Sequence, residues 1–220
     1  MIPGLVVNAF SMTTRSLERL YEKYYGGDKA RRGLFDSLAA WRLLERVLYP
    51  GGFIHVTASF VFPSVVYVDN DHNAKRFFSQ LDNVLSFVDK NKVYTKAPEL
   101  RFHDANYESG FDEPEGSFDL LISLYAGFVS EPCKRYLKVG GILVANNSHG
   151  DAGLASINPD YQFIAVLQGK GDRLRVVEEG LDAYFKPKKE IKVTKELLRK
   201  RGRGFGCTKS APAYLFKRVC

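Results

Sequence analysis

The segment SFDLLISLYAGFVSEPCKRYLKVGGILVANNSHGD, residues 117–151, decides the fold class of this chain. Its two apolar runs, 119–123 and 142–145, are separated by a predicted short helix at 131–137 and by a Gly140–Gly141 turn. Apolar runs without alternation are typical of strands that are covered on both faces, as in a parallel sheet with helical crossovers. The segment therefore predicts an α/β fold.

Further elements are predicted on both sides of this segment, and no internal repeat is present. The predicted helices are 11–25, 34–48, 72–88 and 194–201, with a basic turn at 29–33. The predicted strands are 53–57, 65–68, 100–104, a hairpin of 161–167 with 174–178, and a final strand 213–218. This order predicts a Rossmann-like, mostly parallel sheet with helices on both faces and antiparallel C-terminal strands. We expect an N-terminal helical lid over 1–33, after a short apolar lead at 1–10, and an α/β domain over 34–220 that includes a basic extension at 186–206.

Composition bounds the class of protein. Hydrophobic residues make up 45% of the 220 residues, which is enough for a large core. We expect no membrane span, no secretion signal and a cytoplasmic location, because no apolar run approaches about 18 residues and the N-terminus lacks a basic region. The three cysteines, Cys133, Cys207 and Cys220, lack the paired spacing of metal or disulfide sites, so we expect neither.

The positive charge is concentrated in one segment. The chain has a net charge of +7, and residues 186–203 alone contain nine basic and two acidic residues. Lysine and arginine neutralise phosphates, so the segment predicts contact with nucleic acid that weakens steeply with salt, with Phe205 stacking on a base. A solvated basic helix is the alternative.

Acidic and polar residues follow consecutive predicted strands. Asp69 ends the second strand, Asp104 the third and Ser123 the fourth. An ionised carboxylate offers only acceptors, which suits two ribose hydroxyls at Asp69 and an adenine amino group at Asp104. The pattern predicts an adenosine-containing ligand, with Asp71 as the alternative to Asp69.

Residues 34–148 resemble the class I S-adenosylmethionine-dependent methyltransferases. The resemblance rests on these acids and on the turn LKVGGILVANN, and the terminal YLFKR adds to it. The resemblance implies S-adenosylmethionine as cofactor, methyl transfer as activity and YLFKR as the last edge strand. The cofactor residues that it implies are Asp69, Asp104, the adjoining Ala105 and the segment from Ser123 to Tyr125. It implies Asn146, Asn147 and Tyr25 on the substrate side, and Tyr25 with Arg31 or Arg32 near the methionine carboxylate.

The family's glycine-rich loop has no counterpart in 57–64, TASFVFPS, if 53–57 is the first strand. We expect Thr57 and Ser59 to supply cofactor contacts there. One alternative is a non-catalytic scaffold that binds nucleic acid or a protein partner through the basic segment, with Phe60 or Phe62 filling the cavity between Thr57, Asp69 and Asp104. Another is a dinucleotide or nucleotide-sugar enzyme, which the absence of glycines disfavours.

The histidines offer one catalytic candidate. His149 and Asp151 are predicted as a base and its orienting partner, and the alternative is a helix N-cap beside a solvated histidine. His55, within an apolar run, is predicted to be a core histidine. No motif in the sequence names the methyl acceptor or the oligomeric state.

Overall fold

An eight-stranded sheet forms the centre of the structure, a computed structural model that describes residues 13–220. Its strands are β1 Arg46–Pro50, β2 Ser64–Asp69, β3 Glu99–Asp104, β4 Phe118–Ser123, β5 Leu137–Ala145, β6 Tyr161–Lys170, β7 Arg173–Val177 and β8 Ala213–Arg218. They lie in the order β3-β2-β1-β4-β5-β8-β6-β7. β1 to β5 are mutually parallel, β8 is antiparallel to both β5 and β6, and β7 is antiparallel to β6. The predicted Rossmann-like, mostly parallel sheet with antiparallel C-terminal strands is confirmed.

Six α-helices accompany the sheet within the described residues. They are α1 Thr14–Tyr25, α2 Lys29–Trp41, α3 His72–Phe78, α4 Leu81–Asn91, α5 Asp151–Ser156 and α6 Lys195–Arg201. Short 3-10 helices occur at Val56–Phe60, Lys134–Tyr136 and Leu181–Ala183. The side chains of Thr13, Asp28, Asp71 and Thr194 accept backbone N–H groups at the starts of α1, α2, α3 and α6, as N-cap residues do. Within 13–220, every helix is too short or too polar to traverse a lipid bilayer.

The core occupies both faces of the sheet, because successive strand residues point to opposite sides. In β1, Val47 and Tyr49 belong to the larger cluster, under α1 to α4, and Leu48 belongs to the second, which α5 and the loops after β3 and β4 cover. All three side chains are fully buried. Burial of each such side chain contributes about 2 kcal/mol, which explains why the apolar runs of this chain do not alternate.

The first strand differs from the sequence prediction. We expected helix over 34–48 and strand over 53–57, but α2 ends at Trp41 and Arg42 is extended. Residues 46–50 pair with β2 and β4 instead. The apolar spacing of 44–48 fits a helix and a strand equally well, and sheet pairing decides between them. The loop after the first strand therefore begins with Gly51 and Gly52, and the expected glycine-free loop was wrong.

Several other expectations need correction. The basic turn at 29–33 is the start of α2, which also runs through the proposed boundary at residue 33. The helix at 72–88 is two helices, interrupted at residues 79–80. In place of the helix expected at 131–137, only a single 3-10 turn forms. The expected Gly140–Gly141 turn lies inside β5, where Gly140 has a φ of 85°. β8, which contains YLFKR, is an interior strand and β7 is at the edge. The predicted apolar lead and the helix start at Ser11 lie outside the described residues.

Candidate cofactor and substrate site

The order of strands reverses between β1 and β4, at the centre of the sheet. β2 and β3 continue to one side of β1, and β4 and β5 continue to the other. In open α/β sheets the crevice beyond the carboxyl ends of the strands at such a reversal binds ligands. Here the crevice lies between the loop that starts at Gly51 and the loop that starts at Leu124.

The two loops touch each other. Gly51 has a φ of 63° and donates its N–H to the carbonyl of Val68 at 2.8 Å. A Cβ on Gly51 would lie 2.5 Å from the Cβ of Ala126. A residue with a side chain therefore does not fit at this position, and the close approach requires glycine for both its conformation and its size.

Non-glycine residues with positive φ also occur in these loops. Phe53, in the loop after β1, has a φ of 53°, and Tyr125, in the loop after β4, has a φ of 62°. Bulky residues rarely adopt this conformation. Backbone strain of this kind clusters at binding and active sites, where the surrounding structure enforces it.

Asp69 lies at the end of β2, next to the β1 loop. Its Oδ2 accepts the backbone N–H of Phe53 at 2.9 Å, and its Oδ1 accepts that of Asp71 at 2.9 Å. Each carboxylate oxygen has two lone pairs, so Asp69 retains acceptor capacity towards the crevice. The carboxylate fixes the loop after β1 in place, and these bonds do not use all of its lone pairs.

Asp104 is the register partner of Asp69 on β3, so the two predicted acids lie side by side. Its carboxylate forms an ion pair with Lys75 of α3, and the side chains of Lys75 and Asp104 are 62% and 40% exposed. Ala105 donates its N–H to the backbone carbonyl of Asp69 at 3.3 Å, so that group is already bonded within the fold.

Asp71 has a structural task. Its Oδ1 accepts the backbone N–H groups of Asn73 at 2.7 Å and Ala74 at 3.2 Å, at the start of α3. This is the geometry of a helix N-cap. The helix cap accounts for Asp71, whereas Asp69 holds the loop after β1.

Thr57 and Ser59 are buried, contrary to their expected role as cofactor ligands. Both lie in the 3-10 helix, whose five residues are all buried. Thr57 Oγ1 bonds with Tyr21 and, at 2.9 Å, with His55 Nε2, and Ser59 Oγ bonds with the Tyr67 hydroxyl at 2.7 Å. The polar groups face inward because the segment after Gly52 crosses the core. The Thr57 hydroxyl is therefore engaged within the core.

Phe60 and Phe62 are buried in the larger core cluster. Phe60 packs against Tyr21 and Phe87, and Phe62 packs against Phe35. Their partners lie on α1, α2 and α4, which form the layer over one face of the sheet. These contacts account for both side chains as core packing.

His55 is a satisfied core histidine, as the sequence predicts, although it lies in a loop and not in a strand. Its side chain is fully buried. Nδ1 bonds with the Tyr49 hydroxyl at 3.2 Å, and Nε2 bonds with Thr57 Oγ1. Burial, and then the charge of Arg31, hold the pKa of His55 well below its ordinary value. Burial also raises the pKa of Tyr21 to about 12. The side chains of His55 and Tyr21, which are linked through Thr57, are therefore both neutral at physiological pH.

Arg31 bridges the N-terminal helices and the crevice. Its guanidinium lies 5.2 Å from the ring centre of Tyr25 and 4.9 Å from that of Tyr125, and it pairs with Asp28 at 3.0 Å. Burial would lower the pKa of Arg31, but the neighbouring Tyr49 and Asp28 raise it overall, so the cation persists. Arg32 points elsewhere and pairs with Asp36 on the same helix. Of the two arginines, Arg31 is the one beside Tyr125 in the loop after β4.

The predicted pair of His149 and Asp151 does not form. Asp151 is fully buried and accepts Ser123 Oγ and Ser130 Oγ at 2.5 Å and the Ser130 N–H at 3.0 Å. His149 is exposed and contacts Ser148 Oγ at 3.0 Å. Asp151 turns inward because it lies on the first turn of α5, which packs on the sheet. Ser123 is consequently buried too, and it faces Asp151 instead of the crevice.

Asn146 and Asn147 lie at the end of β5, beside a cleft of about 420 Å³. Asn146 Oδ1 accepts Ser148 Oγ at 2.7 Å and the Tyr125 N–H at 3.5 Å. Asn147 Oδ1 accepts the N–H of Gly153, and its carbonyl accepts that of Gly204, both at 3.1 Å. We call this the edge cleft; its lining is Tyr125, residues 146–148, Lys188, residues 205–207, 210–212 and Tyr214.

Sequence reasoning missed three features of the site. It missed Gly51 and Gly52, for which the diglycine after Pro50 was an available signal once β1 is placed correctly. It also missed Ser130, the second donor to Asp151, and Tyr49, which bonds His55. Neither has a local signal, because both meet their partners through the tertiary fold.

No family model and no curated protein sequence matches the chain. Among solved structures, it is similar to a methyltransferase from Geobacter sulfurreducens, with 15% identity, a TM-score of 0.47 and coverage of 76% of this chain and 87% of that one. It is also similar to the 16S rRNA methylase RmtB, with 11% identity, a TM-score of 0.49 and coverage of 93% and 69%. The O-methyltransferase TomG from Streptomyces achromogenes, in complex with SAM, is 12% identical, with a TM-score of 0.47 and coverage of 78% and 89%. The likeness is one of fold.

Proposed function

We propose that the chain is an S-adenosylmethionine-dependent methyltransferase whose cofactor lies in the crevice between the β1 and β4 loops. One observation carries the proposal. The Gly51–Gly52 turn brings the Phe53 N–H to Asp69, so an acid with unused lone pairs is fixed beside a glycine turn at the strand reversal. An acid next to a glycine turn suits a flat, hydroxylated adenosine.

The residues around the crevice fit the three parts of this cofactor. Asp69 would accept the ribose hydroxyls, and Asp104 would face the adenine amino group across from it. Arg31, held between Tyr25 and Tyr125, would receive the methionine carboxylate, since a guanidinium binds carboxylates with paired hydrogen bonds. In this arrangement α1 and α2 serve as the lid over the cofactor.

The chain after β1 argues against a dinucleotide or nucleotide-sugar ligand. Pyrophosphates bind where backbone N–H groups of an exposed helix N-terminus point at them. After β1 this chain has a five-residue 3-10 helix that is buried throughout. A ligand without phosphates avoids that requirement.

The chain's own residues would act mainly by positioning. When bound, S-adenosylmethionine would supply an electrophilic methyl group on a sulfonium, and Asp69, Asp104 and Arg31 would hold it. Tyr125 and Asn146 would place the acceptor at the mouth of the edge cleft. Orientation of two reactants can lower a barrier by about 7 kcal/mol or more. With His149 exposed and Asp151 bonded to serines, the acceptor's proton would leave to water.

Calorimetric titration with S-adenosylmethionine and S-adenosylhomocysteine tests the proposal. The wild type should bind both at micromolar concentrations, and Asp69→Ala should bind neither. Asp71→Ala is the matched control: it removes a carboxylate two residues away and should keep the affinity, at a cost of about 1 kcal/mol in stability from the lost cap. No binding by the folded wild type would refute the proposal and favour the non-catalytic scaffold.

A further inference from the structure

The edge cleft is continuous with the basic segment, residues 186–203. Lys188 belongs to both, since it lines the cleft beside Tyr125 and the Asn146–Ser148 turn. Residues 205–207, which follow the basic segment after Gly204, also line the cleft. The start of the basic segment therefore lies beside the cleft.

The basic segment is held firmly in place. Leu198 and Phe205 are buried against Leu154 of α5. The Gly204 N–H bonds the carbonyl of Asn147, and Lys188 N–H bonds the carbonyl of Gly206, which closes the segment at its base. Phe205 is thus a core residue, not the stacking platform expected from the sequence. The backbone that carries the basic side chains is therefore held in place before binding, which lowers the entropy cost of binding a partner.

Most of these cations have no internal partner. Lys195 and Arg199 both pair with Glu131. Among residues 13–220, the other seven basic side chains of the segment form no ion pair with a carboxylate, and all nine basic residues are exposed. Like charges on one short frame repel each other, and a partner of opposite charge offsets that repulsion.

The number and spread of the charges point to a polymer. A small anion can engage two or three cations that converge on one point, whereas this segment exposes nine basic residues, more than one small anion can engage. A phosphate backbone presents charges at regular intervals along such a surface. An anionic membrane is less suitable, because an interfacial helix inserts an apolar face. The large exposed apolar residues of 13–220 all lie outside the basic segment.

The cleft suits one unpaired nucleotide. Its volume of about 420 Å³ falls within the range of small-ligand sites. Tyr125, with 56% of its surface exposed, offers an aromatic face at the mouth of the cleft, and bases stack on such rings. A base inside a duplex could not enter, so the strand must be single or locally opened.

We propose that the basic segment and the edge cleft together bind a single-stranded polynucleotide, with the backbone along 186–203 and one nucleotide in the cleft. The inference deepens the proposed function, on which it rests for the identity of the reaction, by naming the acceptor class. The binding surface itself requires no cofactor.

Fluorescence anisotropy of labelled 20-nucleotide oligo-U RNA, oligo-dT DNA and a duplex of equal length tests the binding across a salt series. The triple variant Lys188→Gln/Lys189→Gln/Lys192→Gln should bind single strands about a hundredfold more weakly at 0.1 M salt and reduce the slope of log affinity against log salt by about 2. The matched control, Lys170→Gln/Arg173→Gln/Arg175→Gln, removes three exposed cations from the β6–β7 hairpin and should bind as the wild type does. RNA and DNA probes identify which polymer is preferred.

A second measurement locates the nucleotide. Photocrosslinking with a strand that carries 4-thiouridine should label Tyr125 or the 146–148 turn. Equal loss of affinity in both triple variants, salt-independent binding, or crosslinks away from the cleft would overturn the inference, as would binding to phosphatidylserine vesicles without binding to any strand. Titration of the Lys188/Lys189/Lys192 variant with S-adenosylhomocysteine separates the two proposals. Unchanged cofactor affinity shows that only the strand site was removed.

Discussion

At the scale of single residues, Asp151 is the least expected group in the structure. Burial raises its pKa from 3.8 to about 6, against the opposing effect of its bonds from Ser123 and Ser130. The folded chain therefore binds this proton more tightly than the unfolded chain does. Its stabilising contribution is fully present below about pH 4 and is lost as the pH rises through 6.

Asp151→Asn should remove this pH dependence. The amide keeps the shape of the carboxyl group and cannot ionise, so the wild type should lose about 2 kcal/mol more than the variant between pH 4.5 and pH 8. Urea denaturation of both proteins at the two pH values measures the difference. Asp182→Asn changes an exposed acid and should parallel the wild type. Identical pH profiles for wild type and Asp151→Asn would show that Asp151 titrates normally.

Gly51 allows a test of the contact between the two loops. Gly51→Ala should destabilise the fold by about 2 to 4 kcal/mol, because the new Cβ adds a collision with Ala126 to the strain of a positive φ. Gly171→Ala is matched in conformation: Gly171 also has a φ of 63°, and nothing lies within 4 Å of its added Cβ. It should cost about 1 kcal/mol. Equal losses in thermal denaturation would mean that the loops can separate.

At the scale of elements, α2 connects the N-terminal helices to the site through Arg31. Arg31→Gln should weaken S-adenosylhomocysteine binding about tenfold, since the cation held between Tyr25 and Tyr125 is lost. Arg32→Gln removes the neighbouring cation, which pairs with Asp36, and should bind normally. Calorimetry on both variants measures the contrast. Equal affinity in the two variants would place the methionine carboxylate away from Arg31.

The elements also show where sequence reasoning works. Apolar runs bounded by polar or glycine-containing turns correctly predicted β2, β3, β4, β8 and the β6–β7 hairpin. β1 did not, because Leu44, Val47 and Leu48 continue the helical spacing of α2 without a glycine or proline between them. Pairing with β2 and β4 overrides that local pattern, and only the tertiary fold supplies it.

The site was predictable only in part, because some of its residues are placed by local sequence pattern and others by the tertiary fold. Asp69 and Asp104 were identified from the sequence as acids at strand ends, and the structure places them side by side because β2 and β3 are adjacent parallel strands. Three hydroxyl residues that could equally have been ligands face the interior: Thr57, Ser59 and Ser123. The sequence pattern does not show whether such a side chain faces the core or the crevice. Misplacing β1 by seven residues also concealed the glycine turn.

At the scale of the whole molecule, α6 and the stretch after it bind to the body of the chain through the small cluster of Leu154, Leu198 and Phe205. Leu198→Ala should cost about 2 to 4 kcal/mol by leaving a cavity. We expect the basic segment to become sensitive to trypsin before the sheet unfolds. Limited proteolysis with mass spectrometry identifies the first cuts, and Leu197→Ala, at a half-exposed neighbour, is the control. Simultaneous cutting throughout the chain would show that the segment and the sheet unfold as one unit.

The interior position of β8 has a consequence for how the protein is made. β5 leaves the ribosome long before β8, and until β8 arrives the outer edge of β5 and one edge of β6 have no strand to pair with. Open edges of this kind recruit other chains. A nascent or truncated chain without β8 is therefore the form most exposed to aggregation and to chaperones. The edge cleft, which Tyr214 of β8 helps to line, is completed only when that strand is inserted.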